Sequence, residues 1–433
     1  MRVVVNKSKI SGGMRIPGSK SHTLRAVLIS GLADGVSMID NPLHSKDTYS
    51  AIHSATAFGA KCDISNEDGI WRIKGTSGHP QVPDNVVDCG NSGGTTYFTT
   101  AIASVVDGCS VITGDEQIVK RPIRKLLNAI NELGGHAYTT RTNVDAAPVV
   151  VHGRIKGGIC HLDGLLSSYI TGLLIATPLI DNDTDIMIED PKEVPYLRMT
   201  LQWLGKQGIK HEVSDDLRHI HIFGKQVYRP VKCAIPGDWS SAAFPIIAAV
   251  LTGCEYTLEC LDFNDVQGDK EIVNILKRMS ADIEVDYDDQ IIRIHPSGRL
   301  CGDLEINMED IPDALPALAM AAATATGKVV FKGIENVRLK ETDRVFVMQK
   351  VLTQMGVKVE SDEKTMTVYG TDSIKGAVVD SFGDHRIAMA LIAGGLVADG
   401  PVTVLNSQSV NISFPGFIDL LVKSGADITC IDD

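Results

Sequence analysis

The sequence has little of what several protein classes need. None of its 433 residues fall in a run approaching the ~18 consecutive apolar residues of a membrane span. The longest apolar stretches, such as Ala319 to Ala325, are short and alanine-rich. The opening MRVVVNKSKISGG reads as a short strand and lacks the apolar core and cleavage site of a secretion signal, so a cytoplasmic protein is expected. Nine cysteines are scattered from Cys62 to Cys430 without a C-x-x-C pair. Reduced, buried thiols are expected in place of a disulfide framework or a zinc knot. Twelve histidines form no H-E-x-x-H or H-x-x-x-H pattern, which argues against a catalytic metal. There is no Lys/Arg block, and 41 basic residues against 54 acidic ones leave a net charge of −13. Nucleic acid and anionic membrane are therefore poor partners. The Gly-rich GNSGG at Gly90 lacks the Gly-Lys-Ser/Thr ending of a phosphate loop, and no G-x-G-x-x-G follows a first strand.

What the chain does have is length and repetition. It is too long for one core, and its 44% hydrophobic and 22% charged residues describe a folded globular protein. Six segments share one grammar, in which a short polar stretch opens an Ala/Leu/Ile-rich run of helical length followed by a Val/Ile strand. They start at Ser21, Asn91, Ser167, Ser240, Asp313 and His385, at intervals of 70, 76, 73, 73 and 72 residues. Each is followed by a second, amphipathic helical pattern such as LLNAINELGG or VMQKVLTQMG, which ends in a small residue before another strand. The first helix of each unit is apolar nearly all round and should be buried. Six such units suggest two sets of three, with a break near Val227 to Pro230. A solenoid is the competing reading, but its repeats are usually shorter, ~20–50 residues.

The residues that open the buried runs are Lys20-Ser21, Asn91-Ser92, Ser167-Ser168, Asp238 with Ser240-Ser241, Asp313, and Asp384-His385-Arg386. Taken singly, each is explained as a helix cap. Together, several helix N-termini with added cations would make a pocket for anions. Arg25 falls one turn after Ser21 on the same face. Lys120 and Arg121 precede a proline suited to a first helical position, and Lys340 and Arg344 are spaced i, i+4 around Glu341. Arginine binds carboxylate or phosphate bidentately and lysine acts as a point charge. The pattern predicts an enzyme for multiply anionic small molecules that draws on both halves of the chain.

The motifs PGSKSHTLR, NPLHSKDT, GNSGG, KRPI, LSSYITGLL, PGDWSSAA, IPDA, ENVRLKETDR and FGDHRIAMA lie in order along essentially the whole chain, and with them the sequence closely resembles the enolpyruvyl transferase family. Ser21 after Lys20, and no Cys in ITGDEQIVKRP, place the resemblance in the shikimate branch and away from the branch acting on UDP-N-acetylglucosamine. The resemblance implies an α/β fold, a two-domain inside-out α/β barrel. Each domain would hold three βαβαββ repeats with buried helices, over residues 16–230 and over 1–15 with 231–433. It implies a monomer, needing no metal or organic cofactor, that moves the enolpyruvyl group of phosphoenolpyruvate to the 5-hydroxyl of shikimate 3-phosphate and releases phosphate. By the same resemblance Ser21, Arg25, Ser167, Ser168, Asp313, Asn336 and Lys340 hold the shikimate side. Lys20, Gly93, Arg121, Arg344 and Arg386 hold the phosphoenolpyruvate side, with Asn91 nearby. Asp313 and Glu341 are the proton-transfer carboxylates, assisted by Lys20 and Lys340.

Four positions depart from the family pattern. Tyr169 stands where a Gln follows the Ser-Ser pair, and Glu193 where a Ser precedes Pro195-Tyr196. Tyr97 or Phe98 replaces an Arg, and Ile412 replaces a Lys. Tyr169 and Ile412 stand at positions expected to touch phosphoenolpyruvate, and a lost lysine contact weakens binding by roughly ten- to a hundred-fold. Two further readings follow from these departures: a related enolpyruvyl transferase with another phosphorylated or carboxylated acceptor, or a weakly active ligand-binding homologue.

Overall fold

A computed structural model describes residues 1–65 and 67–432. The chain separates into two compact units, Gly18–Ile235 (the first) and Met1–Pro17 with Pro236–Asp433 (the second). Each unit contains three four-stranded sheets, and all six follow one plan. In the sheet of Leu304–Asn307, Lys328–Lys332, Val359–Ser361 and Thr365–Tyr369, the first two strands pair in parallel, while the last strand runs antiparallel to both of its neighbours. The helices Leu315–Thr324 and Arg344–Gln354 fill the two crossovers, which completes βαβαββ. Strand Lys328–Lys332 alternates, with Val329 and Phe331 fully buried, so each sheet has one dry face.

The two helices of a repeat differ as their residues dictate. Arg344–Gln354 buries the stripe Val345, Met348, Val351 and Leu352. Leu315–Thr324 is buried from Leu315 to Ala323, because it carries no polar face to turn outward. In the second unit, Trp239–Thr252, Leu315–Thr324 and His385–Gly395 pack on one another beneath the sheets. In the first unit, Gly93–Ala103 lies along Ser167–Ala176. A Cβ at Gly172 would stand 2.9 Å from the Tyr97 carbonyl and 3.0 Å from the Ala101 methyl, so glycine permits that approach. No helix among the described residues is long and apolar enough to cross a membrane.

The first strands of two repeats are exchanged. Gly12–Arg15, just before the first buried helix, pairs in parallel with Tyr256–Glu259 of the second unit. Lys232–Ala234, just before the fourth, pairs in parallel with Val36–Asp40 of the first unit. The N-terminal strand Arg2–Val5 takes the closing place in the last repeat, between Val402–Leu405 and Ile428–Ile431. The chain therefore changes unit at Pro17/Gly18 and Ile235/Pro236. The expected limit at 230/231 moves to 235/236 because Lys232–Ala234 belongs to the first unit's sheet, and the one at 15/16 falls two residues before the observed change.

Candidate functional site

In the second unit the helix starts converge chemically. Arg344, the first residue of Arg344–Gln354, is fully buried and bonded to carboxylates on every side. Its Nη1 donates to Asp313 Oδ1 at 2.6 Å, its Nη2 to Glu341 Oε2 at 2.5 Å and its Nε to Asp384 Oδ2 at 2.8 Å. Asp384 also caps the His385 helix, accepting from the amides of Arg386 at 2.9 Å and Ile387 at 3.4 Å. Arg386, 2% exposed, reaches back to Asp313 Oδ2 at 3.0 Å and to the Ser240 carbonyl at 3.2 Å. Burial by itself would raise the Asp313 carboxyl. Arg386, Arg344 and Lys340 outweigh it and hold Asp313 well below the usual carboxylate range. Burial by itself would lower the Arg344 guanidinium, but Asp384, Glu341 and Asp313 more than compensate and raise it. The site thus holds an ionised carboxylate bridging two guanidiniums at neutral pH. Asn336 sits beside it in sequence order on a short turn, Asn336–Leu339. Its Nδ2 donates to the Glu309 carbonyl at 3.1 Å, and its buried Oδ1 has no protein partner.

The i, i+4 spacing of Lys340 and Arg344 does not fall within one helix. Lys340 is extended at the end of the Asn336–Leu339 turn, and the helix begins only at Arg344. The helix start at Arg344 is buried, its guanidinium drawn into the carboxylates.

In the first unit, Ser19 caps Lys20–Leu32, and Lys20 Nζ bonds Asp47 Oδ2 at 2.9 Å. Arg25, 3% exposed, donates through Nη1 to the Ser21 carbonyl at 2.9 Å, through Nε to Thr200 Oγ1 at 2.9 Å and through Nη2 to the Tyr196 carbonyl at 3.2 Å. Its guanidinium lies 5.5 Å from the Phe98 ring centre. Burial pulls Arg25 down to about 10, still charged at neutral pH. Ser167 opens its helix with Ser168 half-buried beside it. Gly93 opens another, and a side chain there would run into the Arg121 guanidinium. Asn91 donates to Asp115 Oδ2 at 2.6 Å. Pro122 is not a first helical residue as expected. That helix starts at Arg124, because Asp145 Oδ1 accepts from the amides of Ile123 at 3.0 Å and Arg124 at 2.6 Å and so sets the start two residues later.

Three of the four departures lie in contact with expected site residues. Tyr169 is buried, its hydroxyl donates to the Pro122 carbonyl at 2.5 Å, and its ring meets Tyr97 edge-on at 4.9 Å between centroids. The Arg and Gln expected there are thus replaced as a packed pair, anchored next to Arg121. Burial pushes the Tyr169 phenol far up, so it acts as a neutral donor. Glu193 is 2% exposed, and its Oε2 accepts from the Ser167 amide at 3.0 Å and hydroxyl at 2.7 Å. Its backbone is left-handed, with φ 52°, a conformation that costs a non-glycine residue about 1 kcal/mol or more. Ile412 ends the turn Ser407–Ile412 and is 8% exposed. Asp47, Thr200, the pairing of Asp384 with Arg344 and the capping role of Glu193 went unseen in the sequence. Each is joined to its partner only by tertiary folding, and Asp384 alone carried a local signal, as a helix opener. Among the described residues no His/Cys/Asp/Glu group could hold a metal ion.

The model of the family described as EPSP synthase (3-phosphoshikimate 1-carboxyvinyltransferase) matches residues 4–421. The chain is 44% identical to the 3-phosphoshikimate 1-carboxyvinyltransferase of Acetivibrio thermocellus, over 99% of this chain and all of that protein. It is 42% identical to that of Ruminiclostridium cellulolyticum over the full length of both. The crystallised EPSP synthase of Acinetobacter baumannii superposes with a TM-score of 0.81 at 26% identity, covering 99% of each chain. The two three-repeat units with buried helices and these similarities place the chain among the enolpyruvyl transferases. Within that class the chain belongs to the EPSP synthase (3-phosphoshikimate 1-carboxyvinyltransferase) family.

Proposed function

We propose that the protein transfers the enolpyruvyl group of phosphoenolpyruvate to the 5-hydroxyl of shikimate 3-phosphate, with release of phosphate. The observation that carries this reading is Asp313, ionised between Arg344 and Arg386 with Glu341 on the same guanidinium. In the proposed reaction the acceptor hydroxyl adds to C2 of phosphoenolpyruvate as C3 gains a proton. The tetrahedral adduct then loses phosphate.

An Asp313 held deprotonated suits a base that takes the hydroxyl proton, and Glu341 is the partner that delivers and recovers the proton at C3, with Lys20 and Lys340 assisting. Arg344 and Arg386 in the second unit, and Lys20, Gly93, Asn91 and Arg121 in the first, are assigned to phosphoenolpyruvate, whose carboxylate and phosphate match guanidinium forks. Ser21, Arg25, Ser167 and Ser168 in the first unit are assigned to the acceptor, its phosphate at the Ser167 helix start and Arg25. Asn336, Lys340 and Asp313 in the second unit serve the acceptor hydroxyls. Asn336 Oδ1, a buried acceptor without a protein donor, suits a hydroxyl.

The test is phosphate release from the purified protein with both substrates. Turnover that requires shikimate 3-phosphate is expected. None at millimolar concentrations, with a cooperative melt preserved, overturns the reading.

A further inference from the structure

We propose that Glu193 is a specificity-determining residue whose carboxylate occupies the anion seat at the start of the Ser167–Ala176 helix, so that a phosphorylated acceptor has to displace it. The inference rests on the assignment above of the acceptor's phosphate to Ser167 and Arg25. Ser167 offers two donors, amide and hydroxyl, and both go to Glu193 Oε2 at 3.0 and 2.7 Å. The residue at the ordinary capping position, Leu166, has no side-chain oxygen. Glu193 therefore caps this helix from outside, reaching over from the head of Val194–Lys206. Both partners are shut off from water, Glu193 at 2% and Ser167 at 3% exposure.

A buried helix N-terminus draws a carboxylate or a phosphate by the same partial charges, so the two compete for it. Arg25 sharpens the competition. Its hydrogen bonds go to neutral oxygens of Ser21, Thr200 and Tyr196, and Glu193 is among the groups whose negative charge supports its protonation. The internal carboxylate thus stands where an incoming phosphate would draw on both the helix and the arginine.

The experiment compares the parent with Glu193→Gln, which keeps the shape and an oxygen for Ser167 but removes the charge, and Glu193→Ser, which also empties the seat. Calorimetric titration with inorganic phosphate and with shikimate 3-phosphate is expected to show tighter binding in both variants, by about ten-fold in E193S, the worth of one charge-assisted contact. KM for shikimate 3-phosphate falls in step, while KM for phosphoenolpyruvate stays within about two-fold. Adding Ser167→Ala to E193S, which removes the hydroxyl and leaves the amide, is expected to cut the gain several-fold. Unchanged or weaker binding of both probes in variants that melt cooperatively overturns the proposal, and so does a gain left undiminished by Ser167→Ala. Tighter phosphate binding in E193S without any phosphate release from shikimate 3-phosphate supports the proposal and overturns the assigned acceptor instead.

Discussion

Asp313 touches two arginines through its two oxygens, and that geometry decides in which direction its proton moves. A carboxylate held this way is in its proton-accepting form in the resting protein, while the two arginines lower its basicity. Asp313→Asn keeps the shape and is expected to lower kcat by about 10²- to 10⁴-fold, the usual worth of a general base, with calorimetric affinity for phosphoenolpyruvate changed far less. The depressed pKa also has a signature in stability. Its contribution is complete above the ordinary carboxylate value of about 3.9 and fades as pH falls from there toward the folded value. The melting-temperature gap between parent and Asp313→Asn is therefore expected to hold steady from about pH 8 to pH 5 and to narrow below about pH 4. A gap that narrows between about pH 7 and pH 5 would contradict the assignment. The individual cations were legible in the sequence, since Lys20, Arg25, Arg344 and Arg386 all stand near helix openings. Their partners were not. Asp384 meets Arg344 across 40 residues and Glu193 meets Ser167 across 26, distances at which only the folded chain makes neighbours.

Elements carry the site by how closely they can approach. Gly172 lets Gly93–Ala103 and Ser167–Ala176 lie together, and these two helices present Gly93 beside Arg121 and Ser167 beside Glu193. Gly172→Ala is expected to destabilise the protein by about 1–3 kcal/mol, the cost of overpacking a tight core, read as a lower urea midpoint. Tyr169 ties the same helix to the Arg121 segment through the Pro122 carbonyl. Tyr169→Phe deletes that bond and no bulk, so its stability cost is about 0.5–1.5 kcal/mol. A several-fold rise in KM for phosphoenolpyruvate with unchanged KM for the acceptor is its expected kinetic mark. At this scale the sequence was most readable. Six apolar runs at intervals near 72 residues announced six buried helices, because a helix without a polar face has only the interior to occupy. The helix start was misjudged at Pro122, where a distant Asp145 overrides local preference.

For the whole molecule, the exchanged strands decide which pieces are complete. Residues 18–235 contain every strand of the first unit's three sheets, including Lys232–Ala234. Residues 18–230 lack it and leave the Val36–Asp40 edge unpaired, an open edge that invites aggregation. Expressed alone, the longer segment is expected to melt cooperatively and the shorter one to precipitate or melt broadly. Equal behaviour of the two would show that the exchanged strand is dispensable. Nothing local distinguishes Lys232–Ala234 from any other opening strand, so the sequence placed it with the helix that follows it. The net charge of −13 coexists with buried Arg25, Arg344 and Arg386, which is how an acidic protein can still receive anionic ligands.

Seen as wiring, the first unit is an insertion whose ends meet, and its host is closed in the same way. Gly18 lies beside Ile235, where a Cβ would stand 3.3 Å from the isoleucine methyl, and the Asp238 amide donates to the Pro17 carbonyl at 2.9 Å. Arg2 and Ile431 are partners in one antiparallel ladder, so residues near the two ends of the sequence are neighbours as well. A circular permutant opened between Pro17 and Gly18, with the old termini joined, would place residues 18–235 first and 236–433 followed by 1–17 second. The interrupted unit would become a single continuous stretch, and the chain would read as two successive modules of three repeats each.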